Sequence, residues 1–249
     1  MRKALLVGIN YLNEPSNSLH GCIADVINIG KMLTSEYGYN TEDVIILSDD
    51  STDPTLQPTY DNILSQLQQL AQISENCEQI WFYYSGHGAF LNNSNRGILV
   101  PVDHEINGYI HDTDLFSILQ QIKCPMFVGM DSCNSGTICD LEWNFEYMYG
   151  RNFMRTQLVQ QSIEYPNIVV MSGCKSAQSS LEFFDTVDNR YEGVFTDALL
   201  NVMQQHSYTV SLGKLIQDIC VFLVNKGIVS QKPMISSSTI TPVMNFVKV

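Results

Sequence analysis

The chain reads as an α/β protein with a mostly parallel central sheet and helices on both faces. Three observations predict this. Short apolar runs recur along the sequence, each bounded by turn-forming residues. Segments with apolar residues at helical spacing separate those runs, and such alternation builds doubly wound parallel sheets. Two of the runs end in loops of small residues, as expected where an α/β sheet carries its chemistry beyond the carboxyl ends of its strands.

Lys3 to Ile9 is a short apolar run and forms the first buried strand. A polar loop, Asn10 to Leu19, leads to a helix from about Cys22 to Tyr37, with Ile23, Val26, Ile27, Ile29, Met32 and Leu33 on its apolar side. Val44 to Leu47 is the second strand, ended by Ser48-Asp49-Asp50. Pro54 and Pro58 punctuate the next loop, and Ile63, Leu67 and Leu70 mark a helix over Thr59 to Ile73. The third strand, Gln79 to Phe82, runs into Tyr83-Tyr84-Ser85-Gly86-His87-Gly88. Asp112 is placed to cap a helix through Leu115, Ile118, Leu119 and Ile122. The fourth strand, Met126 to Met130, runs into Asp131-Ser132-Cys133-Asn134-Ser135-Gly136. Asp140 to Tyr165 is rich in aromatic and polar residues and weakly periodic. Ile168 to Met171 is a fifth strand, followed by helices over about Phe195 to Gln204 and Ser211 to Asn225.

At 249 residues the chain suits one domain spanning 1–249. A formal charge of −13 disfavours nucleic acid and anionic membranes as partners and suits a cationic substrate or a divalent metal. The apolar run after Met1-Arg2-Lys3 stops at Ile9, too short for a signal core, and no stretch approaches a membrane span. Seven cysteines without a CxxC pair are expected as reduced thiols in the cytoplasm, and a structural zinc site is not expected.

The two strand-end loops carry one His and one Cys. Neighbouring strands would bring imidazole and thiol together without sequence adjacency, the geometry of a Cys–His nucleophilic pair. Cys133 would be the nucleophile and His87 the base, later the acid that protonates a leaving amine. Glycines on both sides of His87 let backbone approach a substrate carbonyl. The amides of Gly88 and Cys133 are the candidate oxyanion donors. Asp131 lies two residues before Cys133, so strand alternation puts both side chains on one side of the chain. Read alone, Asp131 is also consistent with a strand-end cap, and Asp25 with a carboxylate favoured by a helix start.

These strings resemble the catalytic motifs of the metacaspases, in the caspase-like clan of cysteine peptidases. Gly8-Ile9-Asn10-Tyr11, Leu19-His20-Gly21-Cys22-Ile23-Ala24-Asp25, Pro101-Val102-Asp103 and Gly193-Val194-Phe195-Thr196 match in the family's order, over roughly residues 3 to 240. The resemblance implies a caspase-like fold. Residues 1–140 would be the large region, 141–165 a short connection and 166–249 the small region, in the layout of a type I peptidase core without a prodomain. It implies that His87 and Cys133 form the dyad. It casts Asp25 and Asp131, with Ser85, as the acidic floor for an Arg or Lys side chain, with Cys22 beside it. Protein substrates cut after Arg or Lys by a monomeric enzyme follow. An inactive scaffold of the same fold is the alternative.

The chain also departs from the family pattern. Asn134 stands where a second His is common, and Asp112-Thr113 replaces a paired Asp-Asp that helps bind calcium. Asp140 matches the calcium-binding Asp seven residues past the nucleophile. The chemistry needs no cofactor, and calcium is expected as a weak or altered activator through Asp112 and Asp140, because fewer carboxylates weaken a calcium site. Arg151 and Arg155, in the connection, are the candidate sites of self-cleavage.

Overall fold

The fold comes from a computed structural model, which describes residues 1–91, 96–133, 139, 141–150, 152–158, 168–174, 182–185 and 190–249. In chain order the strands are β1 (Arg2–Gly8), β2 (Val44–Ser48), β3 (Gln79–Ser85), β4 (Gly88–Leu91), β5 (Arg96–Leu99), β6 (Ile110–His111), β7 (Met126–Asp131), β8 (Trp143–Tyr147), β9 (Phe153–Gln157), β10 (Ile168–Ser172), β11 (Glu182–Asp185), β12 (Arg190–Gly193), β13 (Val210–Ser211), β14 (Met234–Ser237) and β15 (Asn245–Phe246). The helices are α1 (Cys22–Glu36), α2 (Tyr60–Ile73), α3 (His104–Asn107), α4 (Asp112–Leu119), α5 (Val194–Gln205) and α6 (Leu212–Asn225).

The main sheet has the order β2-β1-β3-β7-β10-β14-β8-β9. Its first five strands are parallel and are the five expected from the apolar runs. The last three join antiparallel. Two of them, β8 and β9, form within 141–165, so the stretch expected as a connection extends the sheet. Its alternation is faint because β9 is an edge strand with mostly exposed side chains.

Period-two alternation divides β1 between two cores. Ala4 and Leu6 face Val26 and Leu33 of α1, Phe195 and Leu199 of α5, and Leu215 and Ile219 of α6. Leu5 and Val7 face Ile63 and Leu67 of α2 and Leu115 and Ile118 of α4. Strands buried on both faces must be apolar throughout, hence the unbroken runs. Among the described residues no helix is long and apolar enough to cross a membrane.

Helix starts follow local chemistry. The Thr59 hydroxyl accepts from Asn62 N at 3.2 Å and caps α2. At α4 the expectation fails in one respect: the N-cap is His111, whose N–H donates to Asp114 at 3.0 Å in a capping box. Asp112 is instead buried in the first turn, where its oxygens accept from Gly97 N at 3.2 Å and Thr113 N at 2.7 Å. It ties the helix to β5.

Leu199 is fully buried between α5 and the sheet. Leu199→Ala is expected to lower unfolding free energy by about 2–5 kcal/mol, read from equilibrium denaturant curves.

Candidate active site

Register builds the site. Gly8 lies opposite Ser85, and Ser85 opposite Asp131, so β1, β3 and β7 end level. His87 and Cys133 each stand two residues beyond a strand end, on adjacent loops. Gly86 N donates to Asp131 O at 3.3 Å. Any side chain at Gly88 would collide with the Cys133 carbonyl oxygen, so glycine lets the two loops touch.

His87 is held through its peptide and its ring. Its N–H donates to the Tyr11 hydroxyl at 2.9 Å, and its carbonyl accepts from the Tyr84 hydroxyl at 2.8 Å. The Tyr11 ring lies 4.5 Å from the imidazole. Nε2 sits 2.6 Å from the Asn17 carbonyl oxygen. A carbonyl only accepts, so Nε2 carries the proton and the neutral ring keeps its lone pair on Nδ1.

Asp25 comes from the first turn of α1 and Asp131 from the end of β7; both are buried. Asp25 Oδ2 accepts from Ser85 Oγ at 2.7 Å and Oδ1 from Gly193 N at 3.0 Å. Asp131 Oδ2 accepts from Thr196 N at 2.9 Å and from Thr196 Oγ1 at 2.8 Å. The first residues of α5 therefore reach both carboxylates, and amides at a helix N-terminus suit negative charge. A side chain at Gly193 would strike the carboxylate oxygens of Asp131 and Asp25. Burial, reinforced by the Asp131 charge, holds the Asp25 carboxyl well above the usual carboxylate range. Burial and then the Asp25 charge push the Cys22 thiol up, so it stays protonated.

Cys22, Asp25, Ser85, His87, Asp131 and Cys133 line one cavity of about 150 Å³. Gly88 packs on the Cys133 loop beside it. Asp112 lies elsewhere, bound to β5. Asp140, Asn134 and Arg151 fall outside the described residues. Arg155 is exposed on edge strand β9, its guanidinium 5.2 Å from the Trp143 ring. No group of three His, Cys, Asp or Glu able to hold a metal occurs among the described residues. Asp112 accepts through both oxygens from backbone amides.

Glu182 also lines the cavity, and the sequence did not reveal it. It accepts from His20 N at 3.0 Å and Gly21 N at 2.8 Å, capping α1 from β11. No spacing signals a contact 161 residues away. The roles of Tyr11 and Thr196 were also missed, although both lie within strings singled out above.

The family model described as metacaspase, peptidase C14 domain, matches residues 2–142. Metacaspase-1 of Kluyveromyces lactis is 38% identical over 154 residues, 58% of this chain and 35% of that protein. Metacaspase-1 of Saccharomyces cerevisiae is 28% identical over 298 aligned residues, covering 95% of this chain and 66% of that protein. The chain spans about a third to two fifths of the length of the first metacaspases it matches. In fold it is similar to Caspase-1 from Spodoptera frugiperda, at a TM-score of 0.66 and 14% identity, covering 100% of this chain and 92% of that one.

A buried carboxyl whose folded pKa is raised adds stability below its unfolded value and loses it as pH rises through the folded value. The contribution of Asp25 to thermal stability is therefore expected to fade as pH climbs above about 4, the unfolded Asp range. Asp25→Asn should lose less over the same interval. Melting temperatures of both proteins across a pH series check this, and parallel curves would contradict it.

Proposed function

This chain belongs to the metacaspase family, peptidase C14, and we propose that it is a cysteine endopeptidase cleaving proteins after Arg or Lys. The observation that carries this reading is one cavity lined by a thiol, an imidazole and two buried carboxylates. Cys133 Sγ attacks the substrate carbonyl while His87 Nδ1 takes the thiol proton. The amides of Gly88 and Cys133 receive the oxyanion. The imidazolium returns its proton to the leaving amine as the C–N bond breaks, leaving a thioester on Cys133. Water then attacks the thioester with His87 as base, and acid product and free thiol are regenerated.

Specificity rests on charge. A guanidinium or ammonium entering the cavity compensates Asp25 and Asp131, and it meets an Asp25 carboxyl that burial otherwise favours in its protonated form. An acidic side chain would add a further negative charge to a cavity that Glu182 also lines. Ser85 and Cys22 shape the walls and stay neutral. The net charge of −13 supports protein substrates rather than nucleic acid or membrane surfaces. The thiols Cys22, Cys77, Cys124 and Cys220 suit a reducing compartment, the cytoplasm. We read the enzyme as a monomer, with calcium limited to weak modulation because Asp112 is already engaged.

Paired fluorogenic peptides with Arg or Asp before the scissile bond test this. Cleavage of the Arg peptide alone is expected, surviving a chelator. It should fall more than about a thousandfold in Cys133→Ala and His87→Ala. Asp131→Asn should cost roughly 30-fold or more in kcat/KM, by loss of a charge partner. No cleavage by a folded protein, with or without calcium, would favour the scaffold alternative.

Arg155 and Arg151 remain the proposed sites of self-cleavage. Arg155 would have to leave the sheet edge to reach an active site as an extended chain. Intact-mass spectrometry should find fragments ending at 151 or 155 in wild type and none in Cys133→Ala; their absence from both removes the proposal.

A further inference from the structure

A second cavity, of about 260 Å³, has no part in the chemistry proposed for Cys133 and His87. His87 lines both cavities. Tyr11, whose ring packs on the imidazole, and Asn17, whose carbonyl holds Nε2, belong to the second one. Its remaining wall combines apolar and aromatic surface with one acid, Glu14, and one imidazole, His104. Ile98 is buried, and Tyr109 is partly exposed and stacks on His104 with ring centroids 5.7 Å apart. Glu14 lies 3.7 Å from His104 Nδ1 and accepts from Asn17 Nδ2 at 3.3 Å.

We infer that this cavity receives the substrate segment that follows the scissile bond, accepting an apolar or aromatic side chain and refusing an acidic one. The inference rests on the peptidase reading. The bonds around the reacting carbon set the direction. One substituent leads to the basic side chain in the acidic cavity, and the oxygen turns to the Gly88 and Cys133 amides. The leaving nitrogen must come within hydrogen-bond reach of His87 to receive its proton. The chain beyond that nitrogen therefore passes His87, which lines this cavity. Its volume falls below the range for whole small-molecule sites and suits a side chain. Tyr109 and Ile98 offer apolar contact, and the Glu14 carboxylate repels Asp or Glu.

Two internally quenched peptides test this, identical through Arg and differing only in the next residue, Leu or Asp. Wild type should favour the Leu peptide by roughly tenfold or more in kcat/KM. Glu14→Gln should raise relative cleavage of the Asp peptide, and Tyr109→Ala should lower that of the Leu peptide. Either change moves the ratio toward one. The ratio is internal to each protein, so loss of active enzyme in one variant does not mimic the effect, and either variant alone can decide. Equal cleavage of both peptides by wild type, or an unchanged ratio in the variants, overturns the cavity assignment and leaves the peptidase reading intact. Failure to cut either peptide overturns both.

Discussion

Two buried carboxylates facing the start of one helix set the terms for the rest of this structure. Asp25 and Asp131 come from α1 and β7, and both are met by the first residues of α5, through Gly193 N and Thr196. Buried carboxylates are tolerated only when hydrogen-bonded and offset by positive potential. α1, the parallel sheet and α5 must therefore dock in one arrangement. Thr196 extends the network to the buried Tyr83 hydroxyl at 2.8 Å, anchoring it in the core. Burial first, and then the charge of Asp131, hold the Asp25 carboxyl above its usual range despite these donors.

The other half of the site depends on Tyr11. Its backbone adopts φ 54°, a left-handed conformation uncommon for a non-glycine residue. Such a conformation costs on the order of 1–3 kcal/mol and persists where its surroundings hold it. Here the hydroxyl does so, donating to Val100 O at 2.7 Å while accepting from His87 N. His87 is thus fixed from a loop that immediately follows β1, with the Asn17 carbonyl accepting from its ring. Asp49 secures that loop by accepting from Asn10 N and Leu12 N at 2.8 and 2.9 Å.

Much of this was legible in the sequence, for physical reasons. A strand covered on both faces must be apolar at every position, so β1, β2, β3, β7 and β10 announced themselves. His87 and Cys133 stood out because small residues surround each at a strand end. β8 carried a weaker signal, since Trp143, Phe145 and Tyr147 alternate beside polar neighbours; β9 had almost none. Asp112 misled because a carboxylate at a helix start has two uses, and its side chain serves β5 rather than the cap. Glu182 was hidden because capping α1 from a distant hairpin leaves no periodic trace. The partners of His87 were hidden for a similar reason: its ring donates to the Asn17 backbone carbonyl and its own backbone amide donates to Tyr11, and backbone groups carry no sequence identity.

The proposed chemistry requires that a basic side chain deliver electrophilic carbon to Cys133 rather than to Cys22, the second thiol lining the same cavity. Labelling with peptidyl chloromethyl ketones that end in Arg or Asp, followed by mass mapping of the modified cysteine, measures this in one experiment. The Arg reagent should modify Cys133 alone, with Cys22 untouched because its thiol stays protonated, and the Asp reagent should modify neither. Labelling of Cys22, or equal labelling by both reagents, would contradict the account.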